Sequence, residues 1–74
     1  MRVKVKYFGY LTEYFGRELE VEAPEGARVM DVVRLPPDVS FDDVVVLRNG
    51  RPAKPLDRLE DGDTISVLPH ISGG

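Results

Sequence analysis

Near its N-terminus the chain reads Arg2-Val3-Lys4-Val5-Lys6-Tyr7-Phe8. Val3, Val5 and Tyr7 alternate with charged or aromatic residues, and a period of two is typical of a half-buried β-strand. Residues 18–22 alternate in the same way and are followed by the turn signal Pro24-Glu25-Gly26. We therefore predict two strands that pair antiparallel across the intervening loop.

The segments between and after these strands carry helical spacing. In residues 9–16, Leu11 and Phe15 are four apart, which predicts a single helical turn or a compact loop. In residues 28–34, three valines recur at i, i+3 and i+4, so one apolar stripe would face a sheet. Pro36 biases the residue before it away from helical dihedral angles. The predicted helix is therefore short.

The second half of the chain predicts further strands. Residues 44–48 run into Asn49-Gly50, a pair favoured in primed hairpin turns because both positions need positive φ. Residues 51–54 would return as a short edge strand blunted by prolines, and residues 64–68 alternate again after the turn at residues 60–63. The predicted order is ββαβ(β)β. It indicates an α+β fold with a mixed sheet of four to five strands, one short helix, and the first and last strands at the centre.

The composition indicates one small globular domain. The 74 residues are 42% hydrophobic and 31% charged, and no run approaches the ~20 apolar residues of a membrane-spanning helix. The net charge is −3 and basic residues are scattered, which argues against nucleic-acid binding. Residues 1–6 lack the apolar core of a secretory signal, so we expect a cytoplasmic protein with no membrane partner.

The chain offers little material for catalysis or metal binding. It has no cysteine and a single histidine, His70, which excludes thiolate chemistry and a histidine cluster. The acidic group at residues 57–63 lacks the full spacing of a calcium-binding loop, and we interpret it as a solvated turn. We expect neither a bound metal nor a bound cofactor.

Strand alternation also predicts the two faces of the sheet. The residues expected to face the core are Val3, Val5, Leu19, Val21, Val45, Leu47, Ile65 and Val67. The opposite face would carry Lys4, Lys6, Phe8, Val44, Val46, Arg48, Ser66 and Leu68. Phe8, Val46 and Leu68 would then form an exposed apolar patch with a basic rim, and such patches mark partner-binding surfaces. The alternative is that each is a singly exposed apolar residue, which is normal on a soluble domain.

The sequence ends in Ile71-Ser72-Gly73-Gly74. Glycine has no Cβ, so a tail ending in two glycines can enter a narrow channel and present its carboxylate unhindered. We divide the chain accordingly into a domain of residues 1–68 and a flexible tail of residues 69–74. A frayed end without function is the alternative, because termini are commonly disordered.

Three segments together resemble the ubiquitin-like sulfur carriers. They are Val3-Lys4-Val5-Lys6-Tyr7-Phe8-Gly9-Tyr10-Leu11, the turn Leu59-Glu60-Asp61-Gly62-Asp63, and the ending Pro69-His70-Ile71-Ser72-Gly73-Gly74. The pattern is most similar to MoaD, the small subunit of molybdopterin synthase, and is also similar to ThiS and to the archaeal ubiquitin-like modifiers. The resemblance covers the whole chain and implies the β-grasp fold, although residues 28–35 are shorter than the helix usual in that family.

The resemblance implies a co-substrate and not an enzyme. An E1-like adenylating enzyme would use MgATP to adenylate the carboxylate of Gly74, and sulfur would then replace AMP to give a thiocarboxylate. The large subunit of molybdopterin synthase would use this sulfur to convert a cyclic pterin precursor to molybdopterin. Gly73 and Gly74 would carry the chemistry. The residues expected to bind partners are Phe8, Val46, Leu68, Arg48 and Ile71.

Other functions fit the same end chemistry. The activated Gly74 could instead form an isopeptide bond with a lysine, as in a ubiquitin-like protein modifier, or serve a ThiS-type carrier in thiamine synthesis. A third class is a plain interaction module in which the glycine tail is incidental. The sequence leaves these alternatives open.

Overall fold

The structure is a computed structural model, and it describes residues 1–70. The elements follow in the order β1 (Arg2–Tyr7), a 3₁₀ turn (Gly9–Leu11), α1 (Thr12–Phe15), β2 (Glu18–Glu22), α2 (Val29–Val32), a second 3₁₀ turn (Phe41–Asp43), β3 (Val44–Arg48), β4 (Arg51–Pro52) and β5 (Thr64–Pro69). The predicted strands are all present. None of the helices in residues 1–70 is long and apolar enough to cross a membrane.

The five strands form one mixed sheet in the order β2-β1-β5-β3-β4. The first strand pairs antiparallel with β2 and parallel with β5, and β3 pairs antiparallel with β5 and β4. The prediction that the first and last strands are central is confirmed. The hairpin between β3 and β4 also has the predicted primed geometry, because Asn49 and Gly50 have φ of 50° and 84°.

One face of the sheet packs against α2 and the surrounding loops to form the core. Its buried apolar residues are Val3, Val5, Tyr7, Leu11, Ala23, Ala27, Val29, Val32, Val33, Val44, Val46, Leu59, Ile65 and Val67. The predicted inward faces of β1 and β5 are therefore confirmed. The predicted face of β3 is wrong, because Val44 and Val46 are buried and Val45 is exposed.

The helix is shorter than the segment 28–34 that carries the helical spacing. It begins at Val29, where the carboxylate of Asp31 accepts a hydrogen bond from the N–H of Arg28 at 2.7 Å. It ends at Val32, because Val33 already has extended dihedral angles, with φ −87° and ψ 121°. Val33 is nevertheless buried. The valine stripe therefore faces the core although one of its three valines is not helical.

Candidate functional site

The predicted tail leaves the domain at the end of β5. Pro69, the last residue of β5, pairs with the first residue of β3. The N–H of His70 donates a hydrogen bond to the carbonyl of Asp43 at 3.4 Å. On the other side of β5, the N–H of Phe8 donates to the carbonyl of Val67 at 3.1 Å. The chain is thus held between β1 and β3 as far as His70.

Gly9 lies directly against this exit point. Its φ of +59° is in the left-handed region that favours glycine. A Cβ placed on Gly9 would lie 2.9 Å from the Cγ of Pro69. The hydroxyl of Thr12 donates to the carbonyl of Gly9 at 2.9 Å, which holds the 3₁₀ turn that begins there. The backbone after β1 therefore packs on Pro69 more closely than a residue with a side chain allows.

An apolar patch lies on the outward face of the sheet beside this exit point, and we define this outward patch as Phe8, Val45 and Leu68. Phe8 is 42% exposed, Val45 is 38% exposed and Leu68 is half-buried. Val45 and Leu68 are direct partners in the pairing of β3 with β5. Phe8 comes next to them because the preceding pair in the parallel register joins Tyr7 and Val67. The structure confirms the outward placement of Phe8 and Leu68.

The predicted outward placement of Val46 and Arg48 is wrong. Val46 is 7% exposed and lies opposite Val67 in the core. Arg48 extends from the same side of β3 near the end of the sheet, where its Nε donates to the carboxylate of Asp63 at 2.7 Å. Residues 44–46 are all valine, so alternation fits either phase of the strand. The pairing of β3 with β5 selects the phase that buries Val46.

The interpretation of residues 57–63 as a solvated turn is wrong at Asp63, which has a structural role. Asp63 is 5% exposed, not solvated, and its carboxylate accepts hydrogen bonds from Arg48, from the Nδ2 of Asn49 at 2.9 Å and from the N–H of Glu60 at 2.8 Å. Burial on its own raises the pKa of Asp63, but the hydrogen bonds from Arg48, Glu60 and Asn49 outweigh it and hold that pKa below its usual value. An acidic side chain can reach back to the backbone N–H three residues before it, and Asp63 does so with Glu60, so the spacing of these two residues in the sequence is the signal for this role.

Charged residues are arranged in rows on the outward face. Two basic residues of β1 form ion pairs with glutamates of β2. The Nζ of Lys4 lies 3.7 Å from the carboxylate of Glu18, and the Nε of Arg2 lies 3.0 Å from that of Glu22. Lys6 is the residue of this row next to Phe8, and residues 1–70 supply no ion-pair partner for it. The basic rim that the sequence predicts is therefore concentrated at Lys6.

The remaining predicted site residues lie outside the described part of the chain. Ile71, Gly73 and Gly74 follow His70 and are not among residues 1–70, so their roles and the tail boundary stay predictions. His70 is exposed. Among residues 1–70, no group of three or more His, Asp and Glu side chains is placed to hold a metal ion. The described site is thus a surface that holds the start of a tail.

The fold is similar to that of several solved structures. SAMP1 from Haloferax volcanii is 27% identical, with a TM-score of 0.83 and 100% of both chains covered. A putative molybdopterin converting factor subunit 1 from Pyrococcus furiosus is 34% identical, with a TM-score of 0.75, over 96% of this chain and 99% of that one. A chain in the complex of subunits 1 and 2 of the molybdopterin-converting factor from Helicobacter pylori is 25% identical, with a TM-score of 0.69, over 100% of both.

These similarities confirm the β-grasp, ubiquitin-like fold that the resemblance implies. The sequence itself matches the ThiS family over residues 5–74. Because that match covers almost the entire chain, this protein belongs to the ThiS family.

Proposed function

We propose that this protein is a sulfur carrier for molybdopterin synthesis, in which Gly74 is adenylated and then converted to a thiocarboxylate. One observation carries the choice of pathway. The putative molybdopterin converting factor subunit 1 of Pyrococcus furiosus is 34% identical over 96% of this chain. Membership of the ThiS family supports the carrier chemistry more generally.

The chemistry would take place on the chain end and not on the folded domain. The carboxylate of Gly74 attacks the α-phosphate of ATP, pyrophosphate leaves, and the resulting acyl adenylate is a far better electrophile than the carboxylate. A sulfur nucleophile at the oxidation level of sulfide then displaces AMP. MgATP belongs to the E1-like activating enzyme, and this protein contributes the reacting carboxylate as a co-substrate.

The geometry of residues 1–70 suits this role. Pro69 holds the start of the tail at one end of the sheet, and six residues from Pro69 to Gly74 span at most roughly 20 Å. That reach is enough for the carboxylate to enter the active site of a partner. The outward patch lies beside the exit point, so a partner that binds Phe8, Val45 and Leu68 would hold the domain while the tail enters. The activating enzyme and the large subunit of molybdopterin synthase are the two partners we propose.

A second candidate function is that of a ubiquitin-like protein modifier. SAMP1 from Haloferax volcanii, a small archaeal modifier protein, is 27% identical over 100% of this chain with a TM-score of 0.83. In this case the activated Gly74 would form an isopeptide bond with the amino group of a lysine. A thiamine carrier of the ThiS type needs the same activation and differs only in the enzyme that receives the sulfur.

Intact-mass analysis of the protein purified from its own cells tests the proposal. We expect a species in which one oxygen of the terminal carboxylate is replaced by sulfur, and we expect it to form molybdopterin when mixed with the large subunit and the pterin precursor. A chain with one residue added after Gly74 is the control and should remain unmodified. Lysine conjugates without thiocarboxylate would support the modifier, and a thiocarboxylate that serves only thiazole formation would support the thiamine carrier.

A further inference from the structure

The contact between Gly9 and Pro69 distinguishes Gly9 from the other glycines of the described chain. Five glycines within residues 1–70 have positive φ, so each is favoured by its backbone conformation. Around four of them, Gly16, Gly26, Gly50 and Gly62, an added Cβ would meet nothing within 4 Å. At Gly9 it would lie 2.9 Å from Cγ and 3.4 Å from Cδ of Pro69. Gly9 is therefore required by close packing as well as by its φ.

Pro69 is the residue at which the chain leaves the sheet. Its ring restricts its own φ, and it keeps Leu68 in an extended conformation. The backbone of Gly9 packs against the ring, and the N–H of the next residue, His70, donates to the carbonyl of Asp43 at 3.4 Å. The backbone after β1, the proline ring and the residue before β3 together set the direction in which the chain continues.

That direction matters more as the distance to the reacting group grows. When a partner holds residues 69–74 extended, these six residues reach at most roughly 20 Å, and turning the chain by about 20° at Pro69 would then displace Gly74 by roughly 7 Å. Reacting atoms must approach to about 3 Å, and small misplacements in an active site cost large factors in rate. A side chain at Gly9 would push on the proline ring and change the direction of the tail at its origin.

We propose that Gly9 is a positioning residue, whose missing side chain lets the backbone after β1 brace Pro69 and so aims the tail at the active site of the activating enzyme. This inference rests on the proposed function, because it concerns the adenylation of Gly74. Gly9 touches no reacting atom. It acts through Pro69, and the variants that test it must separate this contact from backbone strain and from loss of folding.

The experiment compares Gly9→Ala with Gly16→Ala, each in the wild-type background and together with Pro69→Ala. Gly16 is the control because its φ of +79° also favours glycine and the space around it is open, and because its ψ of −175° makes an alanine there at least as strained as one at Gly9. ATP–pyrophosphate exchange with the activating enzyme gives kcat and KM. We expect Gly9→Ala to lower kcat by about tenfold or more with little change in KM, and Gly16→Ala to change it by less than about twofold.

The Pro69→Ala background decides how Gly9 acts. Pro69→Ala removes Cγ and Cδ, so it should lower kcat on its own and leave little additional effect of Gly9→Ala, less than about twofold. Amide NMR gives a readout independent of activity, since Gly9→Ala should shift the His70 resonance in the wild-type background and not when Pro69 is alanine. If Gly9→Ala does not fold, Pro69→Ala alone still tests the bracing, and an unchanged kcat in that variant overturns the inference.

The outcomes against the inference differ from those against the proposed function. Equal losses from Gly9→Ala in both backgrounds would assign the effect to strain at φ +59° and overturn the positioning role. Equal rates for Gly9→Ala and Gly16→Ala would do the same. If the wild-type chain itself is not adenylated, the proposed function is wrong and the inference falls with it.

Discussion

Asp63 is a single buried carboxylate that joins three parts of the chain. Its side chain accepts hydrogen bonds from Arg48 and Asn49 at the β3–β4 hairpin and from the N–H of Glu60 in its own turn. Its carbonyl accepts from the N–H of Lys4 in β1 at 2.9 Å. Because β5 begins at the next residue, this one side chain ties the central strand to the hairpin beside it.

We expect Asp63→Ala to lower the free energy of unfolding by about 3 kcal/mol, because it leaves Arg48 and the Glu60 N–H without their acceptor. Urea denaturation at neutral pH measures the change. Asp38→Ala, at an exposed carboxylate, is the control and should stay within about 0.5 kcal/mol. A similar small effect at Asp63 would contradict the assigned role.

The lowered pKa of Asp63 also predicts how stability depends on pH. The folded pKa lies below the unfolded value of about 3.9, so the stabilisation is present above that pH and is lost as the pH falls through the folded pKa. Asp63→Asn cannot titrate. We therefore expect the stability difference between the wild type and Asp63→Asn to be constant near neutral pH and to shrink below roughly pH 4. A difference that does not change with pH would show that this carboxylate is not preferentially charged in the folded state.

Tyr7 holds the chain that follows α2. Its ring is buried and packs on Phe15 with ring centres 4.8 Å apart. Its hydroxyl donates to the carbonyl of Arg34 at 2.8 Å and accepts from the N–H of Arg34 at 2.9 Å. Tyr7→Phe should therefore cost about 1–2 kcal/mol, because both backbone groups lose their partner. Thermal melts measure the loss. Tyr14→Phe, at an exposed tyrosine, is the control and should leave the free energy of unfolding nearly unchanged.

Neighbouring valines on β3 test the face assignment of the whole strand. Val46 is buried and Val45 belongs to the outward patch. Val46→Asp should therefore destabilise the fold by about 4 kcal/mol, because it buries an unpaired charge. Val45→Asp, like Leu68→Asp, should leave folding nearly unchanged and weaken partner binding by about 2 kcal/mol. Denaturant melts and titration calorimetry with the activating enzyme measure both. Unchanged binding in Val45→Asp would remove the outward patch from the proposed interface.

Within residues 1–70, the buried apolar core ends before the predicted tail of residues 69–74. The buried core extends from Val3 to Val67, and β1 and β5 pair in parallel at the centre of the sheet. Adding one residue after Gly74, or removing Gly74, should therefore change the free energy of unfolding by less than about 0.5 kcal/mol. The same changes should abolish adenylation, because the reacting carboxylate is displaced. Urea melts and pyrophosphate exchange measure the two effects, and an extended chain that is still adenylated would show that Gly74 is not the site.

Much of the fold follows from patterns that are local in the chain. Alternation in residues 2–8 predicts β1 and its buried face. Successive side chains of a strand point to opposite faces, so the valines lie on one face and the lysines on the other. Asn49-Gly50 predicts the hairpin, because few other pairs tolerate positive φ at both positions. The β-grasp fold and the family were likewise predicted from the sequence, because three of its segments match the family in order and spacing. The role of Gly74 stays a prediction.

Other features depend on contacts between residues that are far apart in the chain. Three consecutive valines carry no alternation, so only the pairing with β5 decides that Val46 is buried and that Val45 is exposed. Arginine is usually a surface residue, and the sequence gives no sign that Arg48 is paired. In the folded chain its Nε donates a hydrogen bond to the buried carboxylate of Asp63. Gly9 and Pro69 come together because β1 and β5 are parallel neighbours, and this close packing is visible only once the sheet has formed. The sequence by itself determined the strands, their turns and the family. The tertiary structure alone decided which side chains cover the outward face and what braces the start of the tail, because distant segments must pack before those contacts exist.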